Sequence, residues 1–322
     1  MRGAVRLNVA LGAGLVLAML LSLLAGKIWV PVLGLGGEDP RWPIIMELRL
    51  PRMLLGVIVG AGLGVSGAAM QGYLRNPLAD PGLFGVSAGA ALGAVVSLFI
   101  GGASFWVLPG FALTGAAVVM GLLALLVGRS GSVILFTLAG IIISSLAGAL
   151  TALAISLAPT PFASGQIVIW LMGALTDRSW LDVWTALPLV ALGGGLLAMT
   201  GRALDALTLG EAAARSMGVD PVRLQLLIVV GVGLCVGASV AAAGIIGFVG
   251  LMVPHLVRPF VGHRPSGVLL PSALAGALLL VVADALVRVA PMVSELRLGI
   301  AMALLGGPFF LVLLLRMRRG LA

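Results

Sequence analysis

Charge is what this chain has least of: 9% of its 322 residues are Asp, Glu, Lys or Arg, where a soluble globular domain carries about 25%. Such a small complement cannot coat a water-facing surface of this size, which excludes a soluble enzyme and a nucleic-acid binder. Lysine occurs once, at Lys27. A phosphate-cradling loop needs G-x-x-x-x-G-K-[ST], but Leu21 stands where its first glycine belongs and Ile28 where its Ser or Thr belongs. The chain therefore has no nucleotide site of that kind. Cysteine also occurs once, Cys235 in an apolar run, which excludes a disulfide framework and a cysteine-based metal site. The two histidines, His255 and His263, stand eight residues apart without a third ligand and do not make a metal site.

What the chain has instead is apolar length. Hydrophobic residues make up 61% of it and the mean hydropathy is +1.23. A helix crossing a bilayer needs about 20 mostly apolar residues. Such runs occur at roughly 7–26, 53–72, 84–101, 106–128, 132–157, 181–200, 223–243, 245–262, 267–289 and 298–316. The first, behind Arg2 and Arg6, exceeds the 7–15 residue core of a signal peptide and lacks a clear A-x-A exit, so it reads as a retained helix. Ile167–Thr176 is apolar but only ten residues long, and by length it is a re-entrant or interfacial helix. The expectation is an all-α polytopic membrane protein, a single domain over 1–322 with ten spans.

The few charges sort these runs by side. With ten spans and the N-terminus inside, twelve of the nineteen cations fall inside and seven outside; an eleventh span at 167–176 would reverse that tally. The positive-inside rule selects ten, with both termini cytoplasmic. The net charge of +8 is then a topological signal and not a polyanion-binding one. All six tryptophans fall at or beyond expected outer helix ends, where amphipathic rings favour the interface.

Forty-seven glycines fit a membrane bundle, in which small residues let backbones approach closely. Gly56/Gly60/Gly64 and Gly85/Gly89/Gly93 are paired G-x-x-x-G steps, and Gly140/Ser144/Gly148 and Gly233/Gly237 repeat the pattern. Polar groups at depth are scarce. Asp284 and Arg288 lie i, i+4 on one helix face and are expected to neutralise each other. An ion-coupled carrier, the alternative of another class, usually shows intramembrane carboxylates, and only Asp284 is eligible. Gln71 and Asn76 flank the end of the second span, in a stretch whose Asn-Pro and Asp-Pro-Gly are turn signals. The longest inner connector, 201–223, is expected to turn at Leu204–Leu207. A short surface helix, Gly210–Met217, then opens with a Thr208/Glu211 capping box and stops at Gly218.

These landmarks in order resemble the permease subunits of type II ABC importers, the family that takes up iron-siderophores, haem and vitamin B12. The matching stretches are Arg49-Leu-Pro-Arg52, Ser66-Gly-Ala-Ala-Met-Gln71, Arg75-Asn-Pro-Leu-Ala-Asp-Pro81 and Gly85-Val-Ser-Ala-Gly89, followed by Trp170-Leu-Met-Gly173 and Leu209-Gly-Glu-Ala-Ala213 with Gly218. Gly247-Phe-Val-Gly-Leu-Met-Val-Pro-His255, Ala283-Asp284 and Leu304-Leu-Gly-Gly-Pro-Phe309 complete the series. The resemblance implies ten helices with inverted repeats (2–5 and 7–10) and a half-helix between spans 5 and 6. It implies a second permease subunit, two ATP-binding-cassette ATPases inside and a substrate-binding protein outside. The chain itself holds no cofactor, ATP and Mg belonging to the ATPases. Leu209, Gly210, Glu211, Ala212, Ala213, Arg215 and Gly218 map onto the helix that couples to the ATPase. Arg49, Arg52 and Arg297 map onto outer arginines that dock the binding protein. Spans 2, 5 and 10 are expected to line the pathway, with Gln71, Asn76, Pro77, Ser144 and Ser145 as pathway or gate candidates. The implied function is ATP-driven import of an iron(III)-siderophore-type chelate across the bacterial inner membrane, with haem or cobalamin as alternative cargo.

Overall fold

The computed structural model of the chain describes residues 2–26, 39, 41–100, 106–128, 133–291 and 295–319, and among these no strand occurs. The long helices are α1 (Arg2–Leu24), α2 (Leu50–Tyr73), α3 (Val86–Phe99), α4 (Val107–Val127), α5 (Val133–Ser156), α6 (Pro161–Leu171) and α7 (Trp180–Met199). Two short ones follow, α8 (Gly201–Leu207) and α9 (Glu211–Ser216), then α10 (Pro221–Ala243), α11 (Val249–Val257), α12 (Pro265–Val289) and α13 (Leu298–Arg319). Each of the ten runs marked by hydropathy holds a helix, and eight of those helices are long and apolar enough to cross a membrane. The other two are shorter than the sequence suggests, because each is broken at its start. Gly85 takes a left-handed φ of 79° behind the 3₁₀ turn Pro81–Phe84, so α3 begins at Val86. Phe248, at φ 68°, ends an irregular stretch after Ala243 and starts α11.

α2 is the enclosed centre. Most of its side chains are buried, and it packs on α12, α7, α10 and α11. Glycine makes this possible. A Cβ on Gly60 or Gly276 would collide with the other's backbone across α2 and α12, and Gly64 meets Ser272 in the same way. Gly67 abuts Gly250 of α11, and Gly89 and Gly115 repeat the device between α3 and α4. In lipid the apolar effect does not drive helix association, so this close van der Waals fit is what selects partners. Of the Gly/Ser patterns seen in the sequence, Gly148 is the exception: it faces open space.

The short apolar run lies six residues earlier than the sequence placed it. Thr160 caps α6, its hydroxyl accepting from Ala163 N at 3.2 Å with Pro161 at the first position, and 172–179 is turn rather than helix. Non-helical backbone inside a bilayer must find its partners within the protein. Here it does: Ala174 N donates to Ala243 O (2.8 Å), and Gly299 N donates to Gly173 O (3.1 Å). Those bonds tie the turn after α6, the break between α10 and α11, and the start of α13 into one junction.

Candidate functional site

Side chains able to do something other than pack concentrate at the two ends of the bundle. At one end, Arg52 of α2 donates from Nε to both carboxylate oxygens of Asp284 on α12 (3.0 Å each) and from Nη2 to one of them (2.8 Å). Its Nη1 donates to Glu295 Oε2 at 2.9 Å, and Thr176 Oγ1, in the turn after α6, donates to the same oxygen at 3.2 Å. Arg288 Nε stands 3.2 Å from Asp284 without its N–H aimed at the carboxylate, while its other nitrogens donate to Ser22 and to Ala25 O at the end of α1. Arg49 donates to the carbonyls of Leu23 and Leu24 at 2.7 and 2.9 Å, supplying the cationic cap that the last carbonyls of α1 need. The expected Asp284–Arg288 pair is thus one edge of a larger network. That network clamps α1, α2, α12, the α6–α7 turn and the entry to α13.

Two residues read as docking cations sit inside this clamp. Arg49 and Arg52 are 8% and 9% exposed and their guanidiniums are engaged internally. Packing thus gives both guanidiniums partners within the chain. The reason is burial: an unpaired guanidinium at this depth would be costly, so Asp284, Glu295 and helix-end carbonyls claim it. Arg297 is different. It remains part-exposed and lines a cleft of about 420 Å³ with Trp170, Thr176, Asp177 and Arg178. Burial pulls the Arg178 guanidinium below its ordinary pKa; Asp182 and Asp177 oppose that pull, and neighbouring Arg297 adds to it. Trp170 Nε1 and Arg178 Nε in this cleft are buried without a hydrogen-bond partner among the described residues.

At the other end stands the connector between α7 and α10. Residues 204–207 are helical, as part of α8, instead of a turn. The capping box is also absent: Thr208 Oγ1 donates back to Asp205 O at 2.7 Å, and the N-cap of α9 is Gly210 at φ 98° with no side-chain cap. Thr208 is held in α8's last turn and cannot face the start of α9. The stop signal is where the sequence put it: Gly218, at φ 83°, lets Val219 N reach Ala214 O at 3.0 Å. On α9, Glu211 pairs with Arg75 at 3.6 Å, both side chains well exposed, while Leu209 and Met217 at its ends are 69% and 54% exposed. Ala212, Ala213 and Arg215 complete its surface, with only Ala214 turned inward.

Gln71 is fully buried near this end, donating to Gly250 O (3.4 Å) and Leu251 O (3.1 Å) and accepting from Arg258 Nη2 at 2.7 Å. Asn76 and Pro77 lie in the following turn, where Asn76 Oδ1 accepts from Leu78 N. Ser144 and Ser145 lie mid-way along α5, which packs on α3 and α4, so these gate candidates do not form one site with Gln71. Sequence reading passed over Glu295, Arg258, Thr176 and Asp205, the last accepting from Ser266 N and Oγ. The only signal for them is that each is a polar residue close to a helix end.

A bundle of apolar helices, cinched by glycine and broken at one junction, with a small exposed helix slung between two spans, defines a multi-pass membrane protein. The chain belongs to the FecCD transport family, whose model matches residues 14–316. It is 39% identical to the ABC transporter permease protein YvrB of Bacillus subtilis (strain 168), itself of uncharacterised role, covering 95% of this chain and 92% of that one. It is 38% identical to the vitamin B12 import system permease protein BtuC of Salmonella typhimurium, covering 99% and 97%. A solved ABC transporter, of proposed rather than established metal-chelate type and in an inward-facing conformation, superposes with a TM-score of 0.89 at 31% identity, covering 97% of this chain and 99% of that one. The protein is therefore an ABC importer permease of the FecCD/BtuC type, a transport component and not an enzyme.

Proposed function

We propose that this permease moves an iron(III)-siderophore-type chelate across the bacterial cytoplasmic membrane by alternating access, driven by ATP hydrolysis on partner subunits. In this reading two permease chains enclose the pathway. Two ATPases dock on the α9 side, which is cytoplasmic together with both termini, and a substrate-binding protein delivers cargo to the Arg297 side. The observation that carries it is α9: a six-residue helix set between Gly210 and Gly218, both at positive φ, with Leu209 and Met217 exposed at its ends and Glu211 paired only with the exposed Arg75 among the described residues. Such a lever fits a groove on another protein and transmits its movement to α8 and α10. The basic cleft at Arg178 and Arg297 supports the docking of acidic residues of the binding protein, with Arg49 and Arg52 holding the platform behind it. A pathway lined by Gly, Ala, Ser and Leu offers few hydrogen bonds, so selectivity resides mainly in the binding protein.

Cobalamin is the second reading, favoured by the likeness to the Salmonella vitamin B12 permease over nearly the whole chain. Proteoliposomes holding this permease with its ATPase and binding protein, offered radiolabelled ferric siderophore or cobalamin, separate the two. ATP-dependent accumulation of the ferric chelate and not of cobalamin is expected; the reverse pattern refutes the siderophore reading. Uptake without ATPase, abolished by dissipating the ion gradient, would refute the ABC mechanism itself.

A further inference from the structure

A second cavity lies at the ends of two apolar helices, where α7 passes into α8 and α10 begins. α7 runs through Thr200, still in helical conformation, into α8, and α10 begins at Pro221 directly opposite. Between them opens a cleft of about 390 Å³ lined by Arg202 and Ala206 on one wall and by Asp220 and Arg223 on the other, with Met217 and Gly218 of the exit from α9 at its edge. That volume lies within the range of small-molecule sites, about 300–1,000 Å³. α2 packs against both helices, yet none of its residues lines the cleft, so the cleft opens away from the bundle's centre.

Its charges are unspent. Arg202 and Arg223 are exposed, and neither forms an ion pair among the described residues. The carboxylate in the cleft is already used: Asp220 Oδ1 accepts from Val222 N (2.9 Å) and Arg223 N (3.3 Å) as the N-cap of α10. Two free guanidiniums therefore stand over an apolar floor. Along the same helices, further into the apolar layer, Leu192 and Met199 of α7 and Leu226 and Val230 of α10 are exposed. Cations at the rim with apolar side chains running inward match a molecule with an anionic head and a hydrocarbon tail.

We propose that this cleft binds an anionic phospholipid, its phosphate held between Arg202 and Arg223 and its acyl chains lying along α7 and α10. The bound lipid bridges the two elements from which α9 is slung, so it fixes the base of that lever.

The test uses the purified full chain in nanodiscs of phosphatidylcholine with or without phosphatidylglycerol, with retained lipid counted by native mass spectrometry. Phosphatidylglycerol is expected to be retained over phosphatidylcholine. Each cation near an anionic surface contributes about fivefold in affinity, so R202Q/R223Q is expected to weaken retention about 25-fold. R202K/R223K, which keeps both charges, is expected to retain the lipid. Should the double glutamine variant misfold, R202Q and R223Q are read singly, at about fivefold each. Equal retention of the two lipids, or unchanged retention in R202Q/R223Q, overturns the proposal. Displacement of the lipid by an equal concentration of sn-glycerol 3-phosphate, or by poly-glutamate, also overturns it, since the cleft would then be a site for a free phosphate or for a partner's acidic segment.

Discussion

Asp284→Ala tests the charge clamp most directly. Asp284 is 2% exposed and accepts three hydrogen bonds from Arg52 while standing 3.2 Å from Arg288 Nε. Among the described residues, truncation leaves Arg52 with only Glu295, and leaves Arg288 with only the acceptors at the end of α1. Breaking a buried pair by removing one partner costs about 3–5 kcal/mol, because the remaining charge keeps its desolvation penalty. Glu295→Ala removes a carboxylate that is 29% exposed, and its loss is worth about 1 kcal/mol once water screens the site. With an unfolding entropy of about 2 cal/mol/K per residue, 322 residues give about 0.7 kcal/mol/K, so Asp284→Ala lowers the Tm by about 4–7 °C and Glu295→Ala by about 1–2 °C. Heating the detergent-solubilised protein and measuring the monodisperse fraction by gel filtration reads both values. A Tm for Asp284→Ala within about 1 °C of the parent, or no lower than that of Glu295→Ala, would refute the clamp as a source of stability.

Glu211→Arg reverses the charge on α9 opposite Arg75, and it is expected to uncouple ATP hydrolysis from uptake in the reconstituted complex while the chain still inserts; normal uptake would remove α9 from the coupling role. Arg297→Glu is expected to weaken binding-protein docking about tenfold in a pull-down, about 1.4 kcal/mol, chiefly by slowing association in a salt-dependent way. Arg49→Glu instead lowers stability, by placing a carboxylate against the carbonyls of Leu23 and Leu24. Gly60→Leu cannot be accommodated against the backbone of Gly276, so it should part α2 from α12 and abolish a monodisperse gel-filtration peak; Gly148→Leu, facing open space, should leave that peak intact.

Much of the site's chemistry was hidden from a linear reading for a definable reason. Asp284 and Arg288 were visible as a pair because i, i+4 spacing puts them on one helix face. Arg52, 232 positions from Asp284, carries no local mark of that partner, and an arginine after Leu-Pro at a helix start reads equally well as a surface cation. Gln71 poses the same problem: only the fold brings Arg258 and the α11 carbonyls to it. The failed capping box shows a local signal overruled by its neighbour, since Thr208 already serves α8. The pattern Thr-x-x-Glu was real, but the chain enters α9 through a glycine at positive φ that turns the threonine away.

The sequence by itself determined the class of the molecule. Its shortage of charge and its ten apolar runs follow from the cost of placing polar groups in hydrocarbon, and that cost acts on each residue wherever it later packs. Its order of motifs was enough to point to the FecCD type of permease. The tertiary structure alone decided which arginines are free. Arg49 and Arg52 are consumed in holding helices together, whereas Arg297, Arg202 and Arg223 form no ion pair among the described residues. Whether a cation is spent depends on the carboxylates and carbonyls that packing brings within about 3 Å, and those come from distant parts of the chain.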